Sequence, residues 1–216
     1  MADTRKRRAA EAALQHISAG SVLGVGTGST VRFLIEALAA HTGHVRAAVS
    51  SSNATSALLD AAGIPVRDLN DVADLPLYID GADEATRARH LIKGGGGALT
   101  REKIVAAAAA RFICIIDDSK LVGTLGACAL PIEVVPMARA LVARQLEARG
   151  ARPLWRKGFV TDNGNHILDV HGLSIQDPPA LERELTSLTG VVTVGLFAAR
   201  PADLLVIGTD QGVVAV

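Results

Sequence analysis

The chain has 216 residues, which suits one large domain or one domain with a smaller companion. Hydrophobic residues make up 49% of the sequence, enough for a core of ordinary size. Lysine and arginine together number 22, and aspartate and glutamate also number 22, so the charge balance does not indicate nucleic acid or an anionic membrane as the main partner.

The N-terminus, the apolar runs and the cysteines favour a soluble cytoplasmic protein. The basic residues 5–8 are not followed by the apolar segment of a signal peptide. The longest apolar run, Ile104 to Ile116, is broken by Arg111 and is too short to span a bilayer. Cys114 and Cys128 lie in apolar sequence without metal-ligand spacing, so we interpret both as reduced core residues, with a redox pair as the alternative.

The first half of the chain alternates short apolar strands with helical or polar segments. Residues 8–18 have the spacing of an amphipathic helix, and so does STVRFLIEALAA (29–40). The predicted strands are SVLGV (21–25), VRAAVS (45–50), LPLYID (75–80) and RFICIID (111–117). This alternation predicts an α/β fold: an open, mostly parallel, Rossmann-like sheet with helices on both faces.

The pattern changes at Pro131. Short strand-like pieces with helices over 137–149 and 178–188 predict a smaller α+β subdomain, and residues 203–216 form two strands joined by a turn at Asp210 to Gly212. We therefore predict an α/β catalytic domain over 1–130 and 203–216. Residues 131–202 are predicted to form the subdomain and to take part in oligomer contacts.

A small polar cluster follows each strand of the first domain. The clusters are GVGTGST (24–30), SSSNATS (50–56), DGADE (80–84) and DDSK (117–120). In an open parallel sheet the carboxyl ends of the strands lie on one edge, and ligands bind there at the switch point of strand order. The clusters therefore indicate a binding site at that edge.

GVGTGST combines glycines, whose amides can approach a ligand, with the hydroxyls of Thr27, Ser29 and Thr30 at the start of a helix that attracts anions. It is not the dinucleotide fingerprint, because Ser29 stands where the third glycine would be, and it lacks the lysine of a Walker loop. An ordinary tight turn with a Ser/Thr cap is the alternative.

DGADE places Asp80 and Asp83 three residues apart, with Glu84 beside them. Paired carboxylates can bind sugar hydroxyls, move protons or bind a metal. Because His90 stands alone nearby, the sequence does not favour a transition-metal site. An Asx-type turn with solvated acids is the alternative.

IKGGGGALTREK (92–103) sets Lys93 before four glycines and Glu102 in the first turns of the helix that follows. The bare amides of residues 94–97 can line an anionic ligand. Acidic residues also occur in first helical turns because they offset the helix dipole, so a plain helix start is the alternative. Taken singly, Lys120 and Lys6 are typical of solvated surface.

These motifs together resemble the ribose-5-phosphate isomerase A family. GVGTGST, YIDGADE, KGGGGALTREKI, DDSK, IEVVPMAR and TDNGNHILD occur in this order over nearly the whole chain. The family interconverts ribose 5-phosphate and ribulose 5-phosphate in the pentose phosphate pathway without metal or organic cofactor, and the resemblance implies a homodimer or a dimer of dimers. The partner implied is a small sugar phosphate, with neither nucleic acid nor membrane.

The resemblance also implies a role for each motif. Glu102 would be the base that moves a proton between C2 and C1, Asp80 and Asp83 would handle ring opening and hydroxyl protons, and Lys93 would stabilise the enediolate oxygen. The residues implied to hold the substrate are Thr27, Gly28, Ser29, Thr30, Asp80, Gly81, Ala82, Asp83, Lys93, Gly94, Gly95, Gly96 and Lys120, with Lys6 contacting the phosphate.

Two positions depart from the family pattern: Gly97, where alanine is often found, and Asp118. Neither removes a side chain assigned to the chemistry. Two alternatives remain, another sugar-phosphate isomerase or deaminase on a similar sheet, and a non-catalytic sugar-phosphate sensor, which would tolerate the loss of Glu102.

Overall fold

The structure is a computed structural model that describes residues 2–41 and 43–216. The chain forms two compact units. Unit 1 comprises Met1–Ala82, Arg101–Leu121 and Ala202–Val216, and unit 2 comprises Asp83–Thr100 and Val122–Pro201.

The regular elements follow one another along the chain as alternating helices and strands. The helices are α1 (Ala2–Ala13), α2 (Ser29–Ala39), α3 (Asn53–Ala61), α4 (Leu99–Ala108), α5 (Arg139–Glu147) and α6 (Pro178–Thr186). The strands are β1 (Ser21–Val25), β2 (Val45–Ser50), β3 (Leu77–Asp80), β4 (Glu84–Ala85), β5 (Leu91–Ile92), β6 (Arg111–Asp117), β7 (Leu130–Val134), β8 (Arg152–Trp155), β9 (His166–His171), β10 (Val191–Val194), β11 (Leu196–Phe197), β12 (Leu204–Gly208) and β13 (Val213–Ala215). Short 3-10 helices cover Leu14–His16, Leu69–Asp71, Asp118–Lys120 and Pro136–Ala138.

Unit 1 is built on a six-stranded sheet with the order β13-β12-β6-β3-β1-β2. Its neighbouring strands are parallel except β12 and β13, which form an antiparallel pair. The central strands are almost wholly buried apolar runs, which is typical of a parallel sheet covered on both faces. The predicted fold class, an open and mostly parallel α/β sheet with a smaller α+β part, is confirmed.

The core of unit 1 joins strands and helices through aliphatic side chains. Leu23 and Ile79 from neighbouring strands pack in one cluster with Leu34 and Leu38 of α2. Alanines of α1 complete the cluster, because small side chains let the helix approach closely.

Unit 2 has two antiparallel sheets. The larger has the order β10-β7-β9-β8, and the smaller has the order β11-β5-β4. Val142 and Leu146 of α5 and Leu185 of α6 pack with Ile132 and Leu168 of the larger sheet to form the core of this unit.

The unit boundaries differ from the domain limits expected from the sequence. Residues 83–100 and 122–130 belong to unit 2, whereas the sequence boundary at residue 131 assigned them to the first domain. The reason is that β4 and β5 each have two residues, and β5 pairs with β11, more than a hundred residues further along the chain. Strands this short have no readable period.

None of the helices formed by residues 2–41 and 43–216 combines the length with the hydrophobicity that bilayer crossing demands.

Gly208 of β12 packs directly against the backbone of Arg5 in α1. A β-carbon on Gly208 would lie 1.8 Å from the carbonyl oxygen of Arg5 and 2.7 Å from its carbonyl carbon. Because these are backbone atoms that no side-chain rotation can move away, we expect Gly208→Ala to lower the free energy of unfolding by about 2–3 kcal/mol. The unfolding midpoint in urea measures this change.

Gly123→Ala is the matched control, because an added β-carbon there meets nothing within 4 Å. We expect it to change the free energy of unfolding by less than about 1 kcal/mol. Equal midpoints for the two variants would show that α1 does not lie against Gly208.

Candidate active site

The sheet of unit 1 has its switch point between β1 and β3. From β1 the chain continues to β2 on one side, whereas β3 lies on the other side of β1. The loop over residues 26–28 leaves the carboxyl end of β1, and Asp80 is the last residue of β3. Ligands of open α/β sheets bind in the crevice at such a point.

Asp80 contacts the backbone of the loop after β1. It is fully buried, and its Oδ1 accepts hydrogen bonds from the Thr27 amide at 3.0 Å and the Gly81 amide at 2.7 Å. A β-carbon on Gly26 would lie 1.9 Å from the Asp80 carboxyl carbon. The glycine is therefore required by the close approach of this carboxylate.

Tyr78 lies below Asp80 on the same face of β3, and its hydroxyl donates a hydrogen bond to Asp80 Oδ2. The pKa of Tyr78 is raised well above its ordinary value of 10.0, first by burial and then by the negative charges of Asp80 and Glu102. Tyr78 therefore stays protonated at neutral pH and acts as a donor. Because the charges of both carboxylates raise the pKa of Tyr78, Asp80 and Glu102 lie near the same phenol within unit 1.

A cluster of hydroxyls joins the loop after β1 to the start of α3. Thr27 Oγ1 lies 2.9 Å from Ser51 Oγ and 2.8 Å from Ser52 Oγ, and the Thr55 hydroxyl donates to the Gly26 carbonyl at 2.8 Å. Ser52 is also the N-cap of α3, because its hydroxyl accepts a hydrogen bond from the Thr55 amide. The cluster fixes the loop and explains the polar segment 50–56.

The N-terminus of α2 carries an ammonium group. Gly28 precedes the helix with φ of 127°, a conformation that favours glycine, and Ser29 begins the helix. Lys6 of α1 donates from Nζ to Ser29 Oγ at 3.0 Å. The free backbone amides at the N-terminus of a helix, combined with a lysine, form an arrangement suited to binding a phosphate.

Glu102 occupies the first turn of α4, as the sequence predicted, and is only 3% exposed. Lys120 ends the 3-10 helix that follows β6, and the same turn is tied to α1 by the ion pair of Arg5 with Asp118 at 2.6 Å. Among the described residues, Lys120 forms no ion pair with the other predicted site residues of unit 1.

The glycine loop of unit 2 is a turn closed by the Gly97 amide, which donates to the Gly94 carbonyl at 2.9 Å. The Gly95 amide donates to Asp83 Oδ2 at 2.8 Å. Lys93 is 2% exposed, and its Nζ lies 5.4 Å from the centre of the Phe197 ring. Unit 2 therefore brings Asp83 together with the glycine loop that begins after Lys93.

Glu133 of β7 explains the TDNGN motif. This carboxylate is fully buried, and its oxygens accept hydrogen bonds from Thr161 Oγ1 at 2.9 Å, Asn165 Nδ2 at 2.8 Å and Asn163 Nδ2 at 3.2 Å. Its second oxygen accepts from the hydroxyl of Thr100, the second residue of α4. Neutral donors thus compensate a buried acid and anchor the start of that helix.

Glu84 is a structural residue of unit 2. It is buried and accepts hydrogen bonds from the amides of Gly126 at 2.7 Å and Cys128 at 2.5 Å. Burial, and then the charge of Glu84, raise the pKa of the Cys128 thiol to about 12. Cys114 and Cys128 are both free thiols; Cys114 is buried, and Cys128 is half-buried.

The site residues predicted from the sequence divide between the two units. Unit 1 holds Lys6, Thr27, Gly28, Ser29, Thr30, Asp80, Gly81, Ala82, Glu102 and Lys120, and unit 2 holds Asp83, Lys93, Gly94, Gly95 and Gly96. Within the part of the chain that the structure describes, no group of three or more His, Cys, Asp and Glu side chains is arranged to hold a metal ion.

Sequence reasoning missed Tyr78, whose hydroxyl bonds to Asp80. It was assigned to the strand only. Its position two residues before Asp80 was the available signal, because residues i and i+2 of a strand share one face.

Comparisons with known proteins show which family the chain is similar to. Residues 47–212 match the family described as ribose 5-phosphate isomerase A (phosphoriboisomerase A). The chain is similar to ribose 5-phosphate isomerase A from Neisseria gonorrhoeae, with 47% identity and a TM-score of 0.98 over 100% of this chain and 97% of that chain.

Two further solved structures are similar over nearly their whole length. Ribose 5-phosphate isomerase A from Methanocaldococcus jannaschii has 36% identity and a TM-score of 0.92, covering 99% of this chain and 98% of that one. A D-ribose-5-phosphate isomerase in complex with phospho-erythronic acid has 35% identity and a TM-score of 0.96, covering 100% of this chain and 99% of that one.

Tyr78 is the single tyrosine of the chain, so its ionisation can be followed by absorbance. Because its pKa is raised well above that of an unfolded tyrosine, we expect the folded protein to show no tyrosinate signal at a pH where the unfolded protein is already ionised. The corresponding stability is complete below about pH 10 and is lost as pH rises further.

Asp80→Asn removes one of the charges that raise this pKa, and we expect the folded variant to form tyrosinate at lower pH than the parent protein. Circular dichroism at each pH establishes that the protein is still folded. A parent phenol that titrates near pH 10 would contradict the contact with Asp80.

Proposed function

Because the chain belongs to the ribose 5-phosphate isomerase A family, its reaction is the interconversion of D-ribose 5-phosphate and D-ribulose 5-phosphate in the pentose phosphate pathway, and we propose which group carries out each step. The assignment rests above all on one observation. A buried glutamate, Glu102, lies in unit 1 together with Asp80, and the negative charges of both carboxylates raise the pKa of the Tyr78 phenol.

The reaction requires a base next to the carbonyl of the open-chain sugar. Removal of the C2 proton moves an electron pair into the bond between C1 and C2 and places negative charge on O1. Delivery of that proton to C1, with passage of the O2 hydroxyl proton to O1, gives the ketose. Glu102 is the proposed base, and a positioned base of this kind contributes about 10²–10⁴-fold to the rate.

Asp80 and Asp83 are the proposed carriers of the hydroxyl protons, including the proton that moves in ring opening. Asp80 is supported by its position at the switch point of the sheet, where its orientation is fixed by Tyr78 and by two backbone amides. Asp83 is supported by its hydrogen bond with the Gly95 amide.

Lys93 and the amides of Gly94 to Gly96 are the proposed stabilisers of the charge on the enediolate oxygen. The ammonium is almost fully buried, and electrostatic stabilisation is strongest where water is excluded. The glycines place no side chain of their own over these amides, and the Gly95 amide already donates to the carboxylate of Asp83.

The proposed phosphate site is the N-terminus of α2. Thr27, Gly28, Ser29 and Thr30 supply amides and hydroxyls there, and Lys6 supplies a positive charge. Gly81, Ala82 and Lys120 complete the proposed contacts to the substrate. Phospho-erythronic acid carries a phosphate at one end and a carboxylate at the other, and we propose that this chain binds the same class of ligand.

The proposed reaction uses no metal and no organic cofactor, because the base and the charge-stabilising groups are all side chains and amides of the chain. We also propose a cytoplasmic location, supported by the phosphorylated substrate and by the free thiols of Cys114 and Cys128. The sensor alternative is disfavoured by the family and by the burial of the proposed base.

Glu102→Gln tests the proposed base. We expect turnover of ribose 5-phosphate to fall by at least about 10²-fold, because the amide cannot accept the C2 proton, while affinity for phospho-erythronic acid stays within a few-fold. Steady-state kinetics and calorimetric titration measure the two effects.

Glu11→Gln is a suitable control, because Glu11 is an exposed residue of α1, and we expect full activity from it. Near-normal turnover in Glu102→Gln would remove Glu102 as the base. A variant that loses turnover and ligand affinity together would assign Glu102 to binding.

We further propose a homodimer, which is able to pair into a dimer of dimers, with unit 2 supplying the contact. Unit 2 exposes several large apolar side chains near α5 and β8, and Met137 is 95% exposed. The others are Val135, Leu141, Leu154, Trp155 and Val160. The formal net charge of zero does not oppose contact between two copies.

Met137→Glu tests this contact. We expect it to shift the mass measured by light scattering after size exclusion from the dimer toward the monomer, because a charge buried in an apolar interface is unfavourable. Leu58→Glu places the same charge on an exposed leucine of unit 1 and should leave the mass unchanged. A monomeric parent protein would refute the proposal, and dissociation by Leu58→Glu alone would move the interface to unit 1.

A further inference from the structure

The Arg156 side chain contacts the backbone carbonyl oxygens of the glycine loop. The residue follows β8, and its Nη1 donates to the Gly95 carbonyl at 3.1 Å and to the Gly94 carbonyl at 3.4 Å. Nη2 also lies 3.4 Å from the Gly94 carbonyl. One guanidinium thus bonds to two successive peptide groups of the loop.

Asp169 of β9 holds this guanidinium in place. Its Oδ2 accepts from Arg156 Nε at 2.9 Å, and its Oδ1 accepts from Nη2 at 2.5 Å. Both side chains are largely buried, with 20% and 24% exposed. A two-point bond between a planar guanidinium and a carboxylate fixes orientation as well as position, which a lysine could not do.

The bonds to the carbonyls determine where the amides point. In a planar trans peptide the N–H is directed opposite to the C=O of the same peptide group. With the Gly94 and Gly95 carbonyls on Arg156, the amides of Gly95 and Gly96 are directed away from it. The Gly95 amide follows this rule, because it donates to Asp83 at 2.8 Å.

Glycine would not keep this arrangement unaided. Four successive glycines have no side chains to restrict their dihedral angles, so apart from the turn hydrogen bond from the Gly97 amide to the Gly94 carbonyl their peptide groups could rotate. Phe159 adds a second restraint: the Arg156 guanidinium lies 5.3 Å from the centre of its ring, and a β-carbon on Gly97 would lie 2.2 Å from Phe159 Cζ. The same contact accounts for glycine at position 97, where the family pattern often has alanine.

We propose that Arg156, held by Asp169, is a positioning residue that directs the Gly95 amide toward Asp83 and the Gly96 amide toward the charge formed in the reaction. This inference rests on the proposed role of the loop in stabilising the enediolate oxygen. Arg156 acts through Gly94 and Gly95 and takes no part in proton transfer.

Arg156→Lys is the test, because it keeps the charge and loses the two-point geometry. We expect kcat to fall by about ten-fold or more while KM changes less than about three-fold, since misdirected amides weaken interactions that form in the transition state. Affinity for phospho-erythronic acid, whose carboxylate resembles the charged enediolate, should fall by about ten-fold, and inhibition by inorganic phosphate should not change.

Arg149→Lys is the matched control. Arg149 also bonds a carboxylate, Glu184 at 2.9 Å, and a backbone carbonyl, Gln145 at 2.8 Å, without contacting the loop. All four readouts should match those of the parent protein. Asp169→Asn should reproduce the losses of Arg156→Lys in weaker form, because Arg156 remains but is less firmly held.

Amide hydrogen exchange gives a readout that does not depend on catalysis. We expect the Gly95 amide to exchange faster in Arg156→Lys than in the parent protein and in Arg149→Lys, because its bond to Asp83 loosens. Unchanged exchange at Gly95, unchanged kcat, or a loss of kcat that disappears when rates are normalised to the folded fraction would each overturn the proposal. Failure of Glu102→Gln to lose turnover would instead count against the assigned base and leave the exchange result interpretable.

Discussion

The close contact of the Asp80 carboxylate with the backbone of Gly26 and Thr27 is the constraint on which unit 1 depends. Asp80 is fully buried, and burying a carboxylate is unfavourable unless donors surround it. Tyr78 and two amides supply those donors, and the donors are available only because residue 26 has no side chain. The turn after β1, the start of α2 and the hydroxyls facing Thr27 are all positioned by the same contact.

Unit 2 uses the same device with different residues. Glu133 accepts hydrogen bonds from four neutral side chains, and Glu84 accepts from two backbone amides. Asp83 accepts from the Gly95 amide of the glycine loop. In Arg156 the charged side chain is the donor instead of the acceptor, because its guanidinium donates to backbone carbonyl oxygens. Glu84, Asp83 and Arg156 each orient bare backbone, whereas Glu133 is held by side-chain donors alone.

Much of this arrangement could be predicted from local sequence. The strands of the parallel sheet were visible as apolar runs, and the polar clusters at their carboxyl ends predicted the edge where Asp80 and the loop after β1 lie. Glu102 was predicted in a first helical turn and is found there in α4. Tyr78 and Arg156 were not predicted as site residues, because Tyr78 lay within a predicted strand and Arg156 lay outside the polar clusters of the first domain.

The sequence by itself determined the α/β class, the family and the residue types at the predicted site, because periodicity and motif spacing are local properties of the chain. Only the tertiary structure decided that residues 83–100 join unit 2, that Asp80 needs glycine at position 26, and that Arg156 lies behind Gly94 and Gly95. Each of these depends on contacts between segments distant in sequence. Such contacts follow from strand pairing and close packing, which no local pattern encodes.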